Sequence, residues 1–245
     1  MTDPKLDEAR ELLEEGAFEE GLELVDGLEG SEASYLTALA RFELGELETA
    51  LTMCRGASDL AETRYLEAVI LLSLARVDEA LASAQRAVEL EPDRADCHYI
   101  LGLVRTQRGE IERADRSFQK ASELAPDDCD TPFRLAPEAF DLAVEEALGL
   151  VPEEFAKYLE NVEVSVEEVP TQELVQSGST FDDLGLYIGA SIQWGDSDFP
   201  DRILLFQRNL ENISPDRETL IQEIRDTVLH EVGHHMGLEE DELPF

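Results

Sequence analysis

The run His230-Glu231-Val232-Gly233-His234-His235-Met236-Gly237 gathers the residues best equipped for chemistry. Histidines four apart on a helix lie one turn apart on one face, so His230 and His234 can aim two imidazoles at a single Zn²⁺, at about 2.0–2.1 Å each. Glu231 stands one step round the helix from His230, beside a metal rather than on it. A carboxylate there can take a proton from a water that the metal has made more acidic. Such a set supports metal-assisted hydrolysis. In the extended pattern H-E-x-x-H-x-x-G-x-x-(acid or His), the third ligand falls three residues after the glycine, here Glu240, with Glu239, Asp241 and Glu242 crowding it. His and carboxylate donors favour Zn²⁺ over metals that need soft ligands. A chance match would leave ordinary polar histidines on a surface helix. Against that, the chain has only four histidines, and three of them fall within six positions. His235 lies about 100° round from His234 and is read as a supporting residue; Met236 is read as core.

A helix must present these side chains. Ser214 is expected to cap its N-terminus, with Pro215 at the first helical position and Asp216 and Glu218 favoured by the positive helix end. Leu220, Ile221, Ile224, Val228, Val232 and Met236 form an apolar stripe at the helical period, and Gly237 sits where a left-handed residue ends a helix. Upstream, Pro137 opens a helix to about Leu148 and Pro152 a shorter one through Leu159. Asn161–Glu168 alternates Val162, Val164 and Val166 with polar residues, the pattern of a half-buried strand. A polar loop follows, then strands at Leu184–Ile192 and Arg202–Gln207.

The first half of the chain repeats. Pro92 and Pro126 are 34 residues apart. Aligned on them, Tyr65 pairs with Tyr99, Ala68 with Gly102, Ala75 with Gly109, Ala80 with Ala114 and Ala87 with Ala121. Earlier units match at shorter offsets: Tyr35, Ala38, Gly45, Ala50 and Ala57 precede Tyr65, Ala68, Ala75, Ala80 and Ala87, and Ala9, Gly16 and Gly21 precede Ala38, Gly45 and Ala50. Four helix pairs are expected, the first two shortened. This period and small-residue pattern resembles the tetratricopeptide family, which implies stacked helix pairs forming one solenoid. Leu101-Gly102 then marks a close helix crossing and Phe118 fills the gap between repeats.

With 57 acidic and 19 basic residues the formal net charge is −38. Phosphate contacts need Lys and Arg, so nucleic acid is a poor partner. Acidity runs through both halves: 28 acids against 13 bases in residues 1–126, and 29 against 6 in residues 127–245. That favours a solvated acidic surface over a discrete binding tail. No run of 18 apolar residues exists, so no membrane partner is expected. The first residues lack a charged-then-apolar leader, which predicts a cytoplasmic location. Cys54, Cys97 and Cys129 form no paired framework and no C-x-x-C, and are read as small buried or half-buried thiols.

The motif occurs together with Leu150-Val151-Pro152-Glu153-Glu154-Phe155, Asn161-Val162-Glu163-Val164, Leu184-Gly185-Leu186-Tyr187-Ile188-Gly189 and Pro200-Asp201-Arg202-Ile203-Leu204-Leu205-Phe206. In this order the segments resemble the small bacterial zincin-like metallopeptidase family over roughly residues 133–245. The expected fold class is therefore α+β: an all-α tetratricopeptide-type solenoid over residues 1–126, then a minimal zincin domain over 133–245 with a short mixed sheet and the motif helix. The resemblance implies a peptidase in which His230, His234 and Glu240 hold Zn²⁺ and Glu231 is the general base. Its substrate is a peptide or protein, laid along Leu184–Gly189 as an edge strand, and the repeats dock substrate or a protein partner. Few residues follow the motif, so a group that steadies the oxyanion is sought upstream, at Tyr187 or Arg202; the plainer reading makes Tyr187 a packing residue and Arg202 half of a surface ion pair. Two rival functions fit the same residues: a helical-repeat adaptor whose zinc-binding domain is catalytically idle, and metal-assisted hydrolysis of a non-peptide substrate.

Asp127-Asp128-Cys129-Asp130-Thr131-Pro132 is polar and proline-containing, the composition of a boundary. Limited proteolysis is expected to nick the chain first between Asp127 and Thr131 and leave two soluble fragments. Resistance there, with neither fragment soluble alone, would show that the two halves share one core.

Overall fold

The computed structural model describes residues 3–25, 27–160, 162–189 and 201–236. The chain forms two compact units, Met1–Cys129 and Asp130–Phe245.

The first unit consists of α1 (Pro4–Glu14), α2 (Phe18–Val25), α3 (Ser31–Glu43), α4 (Leu47–Gly56), α5 (Ala61–Ser73), α6 (Val77–Leu90), α7 (Ala95–Gln107) and α8 (Ile111–Leu124). They pack as four successive pairs, and each pair packs on the next. The small residues of the repeat explain the spacing. Ala38, Ala68, Ala50, Ala80 and Ala114 are fully buried. At Gly102 a Cβ would lie 2.6 Å from the Phe118 ring, so only glycine lets α7 and α8 cross there. Tyr99 meets Phe118 edge-to-face at 5.4 Å between centroids. Ala57 departs from the repeat: its counterparts Ala87 and Ala121 are buried within helices, whereas Ala57 is the half-buried C-cap of a shorter α4.

The turn inside each pair carries the clearest signature of the repeat. Gly16, Gly45, Ala75 and Gly109 occupy equivalent positions and all adopt left-handed backbone, with φ of 81°, 76°, 55° and 70°. Each is followed by a residue whose N–H reaches back to the helix: Glu110 to the Arg105 carbonyl at 2.9 Å, Arg76 to Leu71 at 2.8 Å, Glu46 to Arg41 at 2.8 Å and Ala17 to Leu12 at 2.8 Å. This is the double hydrogen-bonded helix stop that glycine serves best.

The second unit runs α9 (Pro137–Gly149), α10 (Glu153–Leu159), β1 (Glu163–Glu167), α11 (Gln172–Gln176), β2 (Gly185–Ile188), β3 (Arg202–Phe206), α12 (Gln207–Asn212) and α13 (Arg217–Met236). Its fold is α+β, with a three-stranded mixed sheet in the order β1-β3-β2. β1 pairs parallel to β3, with Val164 opposite Ile203, and β2 pairs antiparallel, with Tyr187 opposite Ile203. The central strand is buried from Ile203 to Phe206, which is why its sequence is a continuous apolar run; β1, at an edge, alternates. Ile203 and Leu205 face a core built from Phe140, Ala143, Val144 and Ala147 of α9 and Leu220, Ile224, Val228 and Val232 of α13.

Three expectations need correction. Ser214 does not cap α13: its hydroxyl donates to the Leu210 carbonyl at 2.7 Å, closing α12, and the cap passes to Asp216, whose Oδ1 accepts the Thr219 N–H at 2.9 Å. Pro215 accordingly precedes the helix. The loop after β1 contains α11, started by the Thr171 side chain accepting the Leu174 N–H. Strand β3 stops at Phe206 because Gln207 begins α12, whose Glu211 is fully buried. The Glu211 carboxylate accepts from the Leu135 N–H at 2.9 Å, Gln207 Nε2 at 2.8 Å, Arg208 Nη1 at 2.9 Å and Arg134 Nη1 at 3.2 Å, a set that keeps a buried charge paired. The expected strand residues 190–192 and the expected stop at Gly237 lie outside the described residues.

Ala75 alone among the four turn positions carries a Cβ in left-handed backbone, which costs about 1–2 kcal/mol. Glycine loses about 0.5–1 kcal/mol more chain entropy than alanine on folding. Ala75→Gly should therefore raise the thermal midpoint, by up to about 1 kcal/mol of stability, while Gly109→Ala lowers it. Calorimetry of the two variants checks the sign at each position.

Candidate metal and hydrolytic centre

Helix α13 has two working faces. Leu220, Ile224, Val228 and Val232 turn into the core. Glu223, Asp226, Thr227, His230 and Glu231, at the i, i+3, i+4, i+7, i+8 spacing of one helical stripe, line a cavity of about 470 Å³. The facing wall is Thr180, Asp182, Asp183, Leu184 and Gly185, the segment leading into β2.

The histidine pair converges. His230 Nε2 and His234 Nε2 are 3.1 Å apart, with ring planes at 82°. Two nitrogens bound tetrahedrally to one zinc at about 2.0–2.1 Å lie about 3.3 Å from each other, so this pair fits that ion as a two-nitrogen edge. Without metal the same separation makes an N–H···N hydrogen bond. Among the described residues no group of three or more His, Cys, Asp or Glu side chains is gathered for a metal. Glu240, expected to be the third ligand, and its neighbours Glu239, Asp241 and Glu242 lie outside the described residues, as does the side chain of His235.

Glu231 is 6% exposed, and its Oε2 accepts the Tyr187 N–H at 2.7 Å. The sheet geometry explains the contact. Phe206 N–H donates to the Leu184 carbonyl, so alternate residues of β2 address β3 while Gly185 and Tyr187 address the other edge. The helix reaches that edge because of Gly185: a Cβ there would lie 2.6 Å from Thr227 Cγ2 and 3.2 Å from Glu231 Cγ.

Of the two oxyanion candidates, Arg202 is exposed and paired with Glu163 at 3.3 Å. Tyr187 donates its hydroxyl to Asp201 Oδ1 at 2.8 Å, and burial, then that hydrogen bond and the Asp201 charge, push its phenol well above the ordinary range. It is a neutral donor at any physiological pH. The fourth histidine, His98, sits in the first unit with its ring against the Pro92 carbonyl at 2.7 Å.

Comparison with known families bears on both units. The model of the zincin-like metallopeptidase family matches residues 159–244, spanning β1 through the motif. Residues 159–244 are a zincin-like metallopeptidase domain. The tetratricopeptide repeat model matches residues 65–128, so α5 to α8 are tetratricopeptide repeats. The zincin-like match begins after α9, yet α9 supplies one wall of that domain's core. Among solved structures, the chain is similar to YrrB, described as a TPR protein with an unusual peptide-binding site, at 21% identity over 49% of this chain and 66% of that one, TM-score 0.44. It is also similar to MamA, at 20% identity over 48% and 74%, TM-score 0.44, and to MamA from Desulfovibrio magneticus RS-1 at 23% over 51% and 78%, TM-score 0.43. The chain thus spans just under two thirds of the YrrB chain. No curated protein matches. No helix among the described residues is long and apolar enough to cross a membrane.

Sequence reasoning named the motif residues of the zincin-like domain but not the cavity. Glu223, Asp226 and Thr227 carried a readable signal, since they share the helical stripe of His230 and Glu231. Gly185 and the Tyr187 amide carried none, because a backbone donor leaves no mark in the letters.

Gly185→Ala should push β2 from α13 and cost about 1–3 kcal/mol, as overpacking does. Thr227→Ser, which removes the nearest methyl, should restore part of the loss in the double variant. Thermal unfolding of the four proteins checks this; additive single effects would mean that the two side chains do not meet.

Proposed function

We propose that the zincin-like domain is a zinc-dependent peptidase and that the repeats dock its substrate or a protein partner. The observation that carries this reading is the convergence of the His230 and His234 nitrogens at 3.1 Å, with His230 and Glu231 on the wall of a cavity. His230 and His234 would hold the metal, with Glu240 as third ligand. When bound, zinc supplies Lewis acidity that polarises a carbonyl and makes water a stronger acid. Glu231 takes the proton of the attacking water on its carboxylate and hands it to the leaving amine nitrogen. Its present partner suggests how that role begins. A peptide that adds to β2 as a strand takes up the Tyr187 N–H through its own carbonyl, and so releases the Glu231 carboxylate to act as a base. Gly185 leaves the helix close enough for this exchange, and Leu186 keeps its backbone on β3 throughout.

A second reading draws on the same contact. A carboxylate 6% exposed and tied to a backbone amide also suits a domain that binds metal without catalysis, in an adaptor whose repeats do the binding.

One set of variants separates them. The full chain should carry about one zinc, lost in His234→Ala, and Glu240→Ala should weaken zinc more than Glu239→Ala or Asp241→Ala. Glu231→Gln should keep the metal while hydrolysis of a peptide library falls by at least about 10²-fold. Hydrolysis that survives both Glu231→Gln and a chelator would overturn the mechanism. Wild type that binds zinc and leaves every peptide intact would establish the adaptor.

A further inference from the structure

The cavity beside the histidine pair has a chemical character of its own. Among the described residues, five of its lining side chains are carboxylates: Asp182, Asp183, Glu223, Asp226 and Glu231. No lysine or arginine lines it among the described residues. The undescribed stretches 190–200 and 237–245 contain none either.

The cations of this unit are committed elsewhere. Arg134 and Arg208 hold Glu211, Arg202 holds Glu163, Arg217 holds Glu146, and Lys157 sits over the Tyr158 ring. Arg225 pairs with Asp226 at 2.8 Å without itself lining the cavity, and none of the other lining carboxylates has a lysine or arginine partner among the ion pairs of the described residues. Burial, with the Asp226 charge beside it, holds the Glu223 carboxyl above the usual carboxylate range.

A second observation is independent of charge. Thr227 is 8% exposed and lines the same cavity. Among the described residues nothing hydrogen-bonds its hydroxyl, although a helical threonine can bond back to its own preceding turn. A hydroxyl on this wall can accept a hydrogen bond as well as donate one, so a ligand that brings N–H groups and positive charge suits both it and the carboxylates beside it.

We propose that this cavity receives a lysine or arginine side chain of the substrate, close to the bond that is cut. The proposal rests on the peptidase reading and names its substrate class: basic peptides. The cation lies over Glu223 and Asp226, accepted from below by Thr227, while the chain that carries it passes His230 and Glu231. The volume, about 470 Å³, is that of a small-ligand subsite.

The test reads binding, so it does not depend on turnover. The full-length Glu231→Gln protein, with and without zinc, is titrated into two fluorescein-labelled peptides of alanine, one with a central arginine and one with citrulline, its neutral twin. Anisotropy is measured at physiological ionic strength, where screening over about 8 Å mutes the general acidity of the surface. The arginine peptide should bind at least about tenfold tighter, the scale of one charge-assisted hydrogen-bonded pair. Added Glu223→Gln and Asp226→Asn should bring the ratio to about twofold or less, and Thr227→Val should reduce it in part. Glu19→Gln with Glu20→Gln on α2 should leave it unchanged.

Equal affinity for the two peptides, or a ratio that survives loss of Glu223 and Asp226, overturns the proposal. If the cavity variant unfolds, cut sites of the wild-type protein in a peptide library decide instead: enrichment of Lys or Arg within two residues of the cut supports it, and no enrichment overturns it. The outcomes separate from those of the peptidase reading. Selective arginine binding without any cleavage keeps the subsite and removes the enzyme; cleavage without basic preference does the reverse.

Discussion

The second unit depends on how closely β2 lies against α13. At Gly185 the strand has no side chain to hold the helix off, and a methyl there would sit 2.6 Å from Thr227. That approach brings the Glu231 carboxylate within 2.7 Å of an amide on the outward edge of the strand. A carboxylate 6% exposed has little water to solvate it, so the amide matters to its charge as well as its position. The same contact fixes one wall of the cavity, because the segment from Thr180 to Gly185 can face the helix only at this distance. One missing Cβ thus sets the reach of the carboxylate, the width of the cleft and the donor on the sheet edge.

The rest of the unit holds that approach rigid. α13 is pressed on the sheet by Val228 and Val232 and backed by α9 through Phe140, Ala143 and Ala147. The sheet is kept in register by its central strand, buried along Ile203–Phe206, and the end of that strand is tied down by the Glu211 cluster. Burying a carboxylate with two arginines adds little net stability over an apolar cluster but is costly to break. It acts here as a clasp: it joins α12 to Leu135, just before α9, and sets where the strand stops and the helices begin.

Much of this was legible in the letters, and the limits are physical. The repeat could be read because a left-handed turn selects glycine and a close helix crossing selects small residues; even Ala75 betrayed its turn by alignment with Gly45 and Gly109. The motif helix could be read because its apolar residues obey the helical period. What escaped were features in which the backbone or a distant partner decides. Ser214 has the right chemistry for a cap, but its hydroxyl was claimed by Leu210 in the preceding helix, and Asp216 took its place. Glu211 looks like any acid on a short helix, and its burial depends on residues about 76 positions away. Gly185 reads as one more glycine in a strand until the helix that meets it is known.

The charge of the chain gains a more specific meaning from the cleft. At −38 the whole surface attracts cations, but salt screens charges in open water within about 8–10 Å. Carboxylates between low-dielectric walls are screened less, and their fields add in the space they enclose. Glu223 and Asp226 therefore differ in kind from the acids of α1 and α2, although the sequence gives them the same letters. Their position on the stripe of His230 and Glu231 places them on the same cavity wall as the first histidine of the converging pair. Burial of Glu223 beside the Asp226 charge is a cost the fold bears with no ligand present. A cationic side chain of the kind proposed would relieve that cost on arrival, so such a site would gain from its ligand twice: from the contacts made and from the charge neutralised.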